Sequence, residues 1–138
     1  MQFLTLLPLA LSTLGLVSAS PIRREDNPAL TWHVSNFNTV HTAVGYNYTF
    51  NIYGVATQNT PGFNTTCTGS NATTDLAACA DPLIKSRIQA DPFPVWNVRV
   101  EHEWIKSGDM EFYTYGEQNV TSPAPRFTIP VTQEYGVA

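Results

Sequence analysis

The sequence predicts an all-β domain, a small antiparallel β-barrel or sandwich of about six to seven strands with one disulfide bond. Three observations support this prediction. Apolar and polar residues alternate along most of the chain, which is the period of a β-strand. No amphipathic helical repeat of useful length occurs, and the only two cysteines stand twelve positions apart. Turn-forming and proline-containing segments separate the alternating stretches, as they do in antiparallel folds.

The N-terminal half of the predicted domain contains three alternating stretches. The first places Leu30, Trp32 and Val34 on one face, and we expect it to break at Ser35-Asn36. The second should run from Gly45 to Gly54, and the third should surround the first cysteine. Their inward faces are predicted to be Tyr46, Tyr48, Phe50 and Ile52 in the second stretch, and Phe63, Thr65 and Cys67 in the third.

A hairpin is the clearest feature of the C-terminal half. Its first strand has an inward face of five residues, Trp96, Val98, Val100, His102 and Trp104. A four-residue turn at 106–109 follows, and the chain returns as a strand from Met110 to Gly116. The parity of the first strand places His102 beside the tryptophans, so we expect it to be a core or interface histidine.

Two further strands complete the predicted sheet. Ile84, Ser86 and Ile88 alternate, and we favour a strand there over a helix that begins at Asp81-Pro82. The last strand carries Phe127, Ile129 and Val131 on one face. Because proline cannot donate a backbone hydrogen bond, Pro130 predicts that this strand lies at an edge of the sheet.

The N-terminus has the pattern of a secretory signal peptide. Residues 1–19 are mostly apolar, too short to cross a membrane comfortably, and end in small residues that fit cleavage after Ala19. The pair Arg23-Arg24 resembles a processing site, so residues 20–24 form a candidate pro-segment cleaved after Arg24. The mature protein would then be a single domain spanning 25–138, which is 138 minus 24, or 114 residues. We expect it to be secreted and extracellular.

The charge balance narrows the classes of partner. The chain has 7 basic and 11 acidic residues, and loss of Arg23 and Arg24 changes the net charge from −4 to −6. This acidity argues against a nucleic-acid binder, because such proteins neutralise phosphates with lysine and arginine. No later segment approaches the roughly 20 apolar residues of a membrane-spanning helix, so no membrane partner is expected.

The cysteines and the glycosylation sequons both fit an extracellular protein. In an oxidising compartment Cys67 and Cys79 are most simply one disulfide bond, which would contribute about 3 kcal/mol by closing a short loop. Their spacing is not that of a redox or zinc pair. Four Asn-X-Thr sequons predict N-glycosylation, and strand parity places the first two outward: Asn47, Asn64, Asn71 and Asn119.

Catalytic motifs are sparse. Glu101 and Glu103 lie on one strand face about 6.5 to 7 Å apart, and Glu111 follows across the turn, so a small hydrolase of glycosidase or ribonuclease type is an alternative. Because residues alternate between the two faces of a strand, His102 points to the face opposite Glu101 and Glu103. The three histidines share no metal-binding spacing, and neither a metal nor another cofactor is expected.

Tyr113 and Tyr115 share one face of the returning strand. They are a candidate binding surface for a protein partner or a sugar ring. The alternative is that they form one wall of a second buried layer in a closed barrel.

Several short motifs resemble the fungal Alt a 1 allergen family, also called AA1-like proteins. That family begins with a W-x-[IV]-S-x-F strand, continues with a strand ending F-N-I, and then has two cysteines about a dozen residues apart. The corresponding segments are Trp32 to Phe37, Tyr48 to Ile52, Phe63 to Cys67, and Cys79. The match covers roughly Leu30 to Cys79.

The resemblance implies a secreted β-barrel without known catalysis, of the kind that occurs as allergens, elicitors and candidate effectors contacting host defence proteins. Members of the family commonly carry a second cysteine pair, and some add a cysteine that links a dimer, whereas Cys67 and Cys79 are the only cysteines of this chain. We therefore expect a monomer or a non-covalent homodimer. The leading hypothesis is a non-catalytic protein that binds a host extracellular protein or a small ligand. The alternatives are the small hydrolase and a wall-associated structural glycoprotein.

Overall fold

The computed structural model describes residues 27–58, 60–105 and 110–137, except for the side chains of residues 27–29, 135 and 137. The predicted signal peptide and pro-segment, with Ala19 and Arg24, lie outside the described residues, as does the predicted turn at 106–109. In the part of the chain described, no helix is long and apolar enough to cross a membrane. The described residues form eight strands: β1 Asn27–Thr42, β2 Gly45–Gly54, β3 Phe63–Ser70, β4 Ala77–Ala78, β5 Ile84–Ala90, β6 Val95–Ile105, β7 Glu111–Thr121 and β8 Ala124–Val137.

All the strands belong to one antiparallel sheet that curls into a nearly closed barrel. The order across the sheet is β3-β2-β1-β8-β7-β6-β5-β4, so the last strand returns to lie beside the first. The two ends of the sheet meet where the Ala80 N–H donates to the Thr66 carbonyl at 3.0 Å. The Cys67–Cys79 disulfide bond joins the same two edges. The predicted all-β fold and disulfide bond are confirmed, with one strand more than the upper expected number.

The interior contains the residues that alternation placed there. The predicted inward faces of β2, β5 and β6 are confirmed, because side chains of that parity are buried or half-buried and most of their neighbours are more exposed. Glu101 of β6 is an exception, since it has the outward parity and is only 6% exposed. The fully or almost fully buried apolar side chains of the described residues include Leu30, Trp32, Val34, Phe37, Tyr48, Phe50, Ile52, Ile84, Ile88, Trp96, Val98, Val100, Ile129 and Val131. They form one continuous core.

The predicted break at Ser35-Asn36 is wrong, because β1 continues to Thr42. The strand instead contains a β-bulge, where the register with β2 shifts between Ser35 and Asn38. Asn36 has a φ of 56°, a left-handed conformation that asparagine tolerates better than most residues. The extra residue resets the parity, so that Phe37 faces the core and is buried.

The predicted edge position of the last strand is also wrong. β8 lies between β1 and β7 and pairs with both. The register shifts on both sides of this strand. On the β1 side the shift lies beside Pro130, between Asn27 and Thr31, and on the β7 side it lies near it, where Tyr115 pairs with Gln133 and Gly116 with Val131. Bulges are the positions at which a proline in a central strand avoids the loss of a regular ladder hydrogen bond.

Candidate functional site

An open groove of about 600 Å³ lies on the outer face of the sheet, where β1 runs between β2 and β8. Its volume falls within the range of small-molecule binding sites. The polar and aromatic side chains that line it come from three strands: His33, Ser35 and Asn36 from β1, Tyr53 from β2, and Arg126 and Thr128 from β8.

The strand register brings these side chains together. His33 pairs with Tyr53 on one side and with Thr128 on the other, while Ser35 pairs with Arg126. Directly opposed residues in an antiparallel sheet present their side chains on the same face, so these pairs form two short rows across the three strands. The bulge in β1 lies at one end of the rows, and Asn36 contributes to the groove from this bend.

The groove combines an aromatic stack with a cationic side chain. The rings of His33 and Tyr53 are stacked, with centroids 4.8 Å apart and planes inclined by 19°. Tyr53 remains 45% exposed. Arg126 is exposed and forms no ion pair with any described residue. A planar or apolar group could therefore contact the stack while an anionic group binds the guanidinium.

A second cavity of about 350 Å³ adjoins the groove, and His33 lines both. Its other walls include Leu30, Trp32 and Gly54. Thr60 closes one side, and its Oγ1 atom is buried without a hydrogen-bond partner among the described residues. Together, the groove and this cavity form one larger concave surface around His33.

The outer face of β5, β6 and β7 is different, because both of its arginines contact Glu117. Glu117 lies 3.8 Å from the guanidinium nitrogens of both Arg87 and Arg99. The guanidinium of Arg99 also lies over the ring of Tyr115, 4.7 Å from its centroid. These contacts satisfy the charges within the chain.

Tyr113, the other residue of the predicted binding surface, is also engaged. Its hydroxyl donates a hydrogen bond of 2.8 Å to Glu111. This bond, helped by burial and by the negative charges of Glu103, Glu111 and Glu101, raises the pKa of Tyr113 to about 12. Tyr113 and Tyr115 are half-buried on the outside of the barrel, not inside it. Binding of a partner there stays a prediction.

The predicted hydrolase residues share this outer face. Glu101 and Glu103 lie opposite Tyr115 and Tyr113 in the register, and Glu111 begins β7. None of the three carboxylates lines the groove. His102 points into the barrel, as its parity predicts. Among the residues described, no group of three or more His, Cys, Asp or Glu side chains could hold a metal ion. Catalysis by these glutamates stays a hypothesis.

His102 belongs to an aromatic cluster inside the barrel. Its ring lies 4.6 Å from that of Phe63 and 5.0 Å from that of Trp104, centroid to centroid. Burial lowers the pKa of His102 to about 4, and the negative charge of Asp81 acts weakly in the opposite direction. His102 Nδ1 and Trp104 Nε1 are buried without a hydrogen-bond partner in the described part of the chain. The histidine is therefore a neutral core residue near pH 7.

The four sequon asparagines are all at least partly accessible. Asn47, Asn64 and Asn119 are exposed, and Asn71 is half-exposed. Asn71 Oδ1 accepts a hydrogen bond from the Tyr46 N–H at 2.8 Å, and Asn119 Oδ1 accepts one from Asn97 at 2.9 Å. Both bonds use the amide oxygen and leave the nitrogen, which would carry a glycan. Glycosylation at the four sites stays a prediction.

Comparison of the chain with family models, with curated protein sequences and with solved structures gives no match. The resemblance to the Alt a 1 allergen family therefore stays a prediction carried by the motifs between Leu30 and Cys79. The groove was not identified from the sequence. Alternation places His33 and Tyr53 outward, but only the pairing of β1 with β8 shows that Arg126 lies beside them.

Proposed function

We propose that this chain is a secreted, non-catalytic β-barrel protein that binds a host extracellular protein or a small ligand in the groove between β2, β1 and β8. The observation that supports this proposal is the placement of Arg126, without an ion-pair partner among the described residues, beside the His33–Tyr53 stack. The role agrees with the resemblance to the AA1-like proteins, which are secreted and have no known catalysis.

The side chains of the groove indicate which chemical groups a partner should present. A bound group should carry a carboxylate or another anion, because arginine binds such groups through two parallel hydrogen bonds. It should also present a flat or apolar surface to the edge of the His33–Tyr53 stack. The chain as a whole is acidic, with a net charge of −4. Arg126 is thus a local positive site that can orient an anionic group on a negative molecule.

Secretion is the context for this role. The predicted signal peptide, the Cys67–Cys79 disulfide bond and the accessible sequons are all typical of an extracellular protein. Both cysteines of the chain are joined to each other, so neither is left to form a disulfide bond with a second copy. The proposed binding unit is a monomer or a non-covalent homodimer.

The test is a pull-down from host extracellular fluid with the glycosylated mature chain, compared with two variants. Arg126→Ser removes the cation from the groove, and Arg99→Ser removes an exterior arginine that already contacts Glu117 and Tyr115. The proposal expects a partner that the unchanged chain and Arg99→Ser recover and that Arg126→Ser loses. The affinity of the purified partner should fall about tenfold or more with Arg126→Ser, as for removal of one side of a charged hydrogen-bonded contact. A chain that recovers no specific partner, or a partner bound equally well by Arg126→Ser, would refute the groove as the binding site.

A further inference from the structure

The sequon residue Asn64 lies directly opposite Tyr53, across the β2–β3 pairing. Both side chains are exposed on the outer face of the barrel. On its other side Tyr53 pairs with His33, which in turn pairs with Thr128. Four residues from four neighbouring strands therefore form one row across the outer surface, with Tyr53 between the histidine and the sequon asparagine.

The geometry of the row shows what fits beside Tyr53. One face of the tyrosine ring is covered by His33, at a centroid separation of 4.8 Å and an angle of 19°. Asn64 stands one strand away on the opposite side, and directly opposed residues have Cβ atoms about 5 Å apart. A ring attached to the Asn64 amide would thus be within reach of the other side of Tyr53.

We propose that the first N-acetylglucosamine of a glycan on Asn64 packs on Tyr53 and completes a three-layer stack of His33, Tyr53 and sugar. A pyranose ring presents C–H groups on its flat side, and these contact the negative face of an aromatic ring favourably. The stack would bury apolar surface of Tyr53, which is 45% exposed without the sugar.

The other sequons lack this arrangement. Asn47 lies opposite Val40 and Ser70, and Asn119 lies opposite Asn97. Asn71 follows the end of β3 in a turn. Among the described sequon positions, Asn64 is the one whose directly opposed residue is an exposed aromatic side chain. Its glycan should therefore be ordered at the first sugar, whereas the first sugar on Asn47 should extend freely from the surface.

This inference is independent of the proposed ligand. The sugar would occupy the β3 side of Tyr53, and the groove lies on its β1 and β8 side. A glycan on Asn64 would therefore leave Arg126 accessible. It would also restrict the tyrosine ring that forms one wall of the groove, and so keep that wall in place.

The test uses the full chain secreted from a eukaryotic host, with its glycans trimmed enzymatically to the first N-acetylglucosamine. Asn47, Asn64 and Asn71 lie on one tryptic peptide, so tandem mass spectrometry with fragment ions that separate the three sites establishes occupancy at Asn64. Nuclear magnetic resonance then compares the Asn64-linked sugar in the unchanged chain and in Tyr53→Leu. The inference expects upfield-shifted sugar ring protons and cross-peaks to the Tyr53 ring, and the shifts should disappear in Tyr53→Leu. An unoccupied Asn64, or sugar protons with the same shifts in both chains, would overturn it.

Thermal unfolding gives a second readout. Asn64→Gln should lower the melting temperature of the trimmed glycoprotein by roughly 3 to 6 °C, and should lower it much less when Tyr53 is already leucine. Asn47→Gln is the matched control, because it removes a sugar from a position without an aromatic neighbour, and its effect should not depend on Tyr53. Equal effects of Asn64→Gln in the two backgrounds would contradict a sugar–tyrosine contact.

Discussion

Replacement of His102 by phenylalanine should make the barrel much less sensitive to acid. His102 is 3% exposed and lies in an aromatic cluster with Phe63 and Trp104. Burial lowers its pKa to about 4, from an ordinary value of 6.5. Phenylalanine keeps an aromatic ring in the cluster but cannot bind a proton. It also removes the buried His102 Nδ1 atom, which has no hydrogen-bond partner among the described residues.

The direction of the effect follows from proton binding in the two states. Between pH 6.5 and pH 4 the unfolded chain binds a proton at this histidine and the folded chain does not, so the free energy of unfolding decreases as the pH falls. The contribution is fully present above pH 6.5 and lost by about pH 4. At 1.36 kcal/mol per pH unit, the difference between a pKa of 6.5 in the unfolded chain and about 4 in the folded chain corresponds to roughly 3 kcal/mol.

Urea unfolding followed by tryptophan fluorescence at pH 7.5 and pH 4.0 measures this contribution. The unchanged protein should lose roughly 3 kcal/mol more than His102→Phe over that interval. Carboxylates that titrate in the same range are common to both chains and cancel in the comparison. His41→Gln, at an exposed position, controls for loss of a histidine as such, and His102→Gln serves if phenylalanine does not fit. An equal loss of stability in the unchanged protein and in both His102 variants would refute the reasoning.

Three further outcomes are expected. Cys67→Ala should lower the melting temperature by at least several degrees, because it removes a cross-link worth about 3 kcal/mol. Glu111→Gln should bring the pKa of Tyr113 down from about 12, since the charged acceptor of its hydroxyl is lost; absorbance at 295 nm during alkaline titration measures this. Gly116→Ala should destabilise the fold by about 1 to 3 kcal/mol in urea unfolding, because the new Cβ would lie 2.5 Å from the Pro130 carbonyl oxygen.

Each outcome has its own control. Melting curves that do not change under reducing conditions would contradict the role of the disulfide bond. Tyr113→Phe identifies the tyrosine signal that should move with Glu111→Gln, and a high-pKa tyrosine that survives in Tyr113→Phe would contradict the assignment. Wild-type stability in Gly116→Ala would show that β7 and β8 can separate locally at no cost.

Local alternation was sufficient to predict the faces of the strands. Trp32, Phe50, Val98 and Ile129 are buried as their parity requires, since residues two apart on a strand share a face whatever the strand pairs with. The two errors concern features that depend on pairing. The local sequence at Ser35–Asn38 is compatible both with the end of a strand and with a β-bulge. The pairing with β2 and β8 on either side determines that it forms a bulge.

The groove was unpredictable for a related reason. His33 and Arg126 are far apart in sequence and become neighbours only because β8 returns beside β1. The same proline that predicted an edge strand occurs in β8, so the sequence argued against the pairing that builds the site. The register near Pro130 is fixed by bulges, and alternation does not show where a bulge lies. A bulge shifts the alternation by a single residue, and the residues on either side of it still alternate.

The arrangement of charge over the barrel favours the groove, rather than the face with most charged residues, as the proposed binding surface. On β5, β6 and β7 the arginines contact Glu117 or Tyr115, and a partner would have to break those contacts before forming its own. Exchanging one paired contact for another contributes little net affinity. At Arg126 no described acidic group has to be displaced, so a bound anion would gain a charge-assisted interaction without the loss of an existing ion pair. Arg126→Ser should therefore weaken binding of a partner more than Arg99→Ser, even though Arg99 lies among more charged residues.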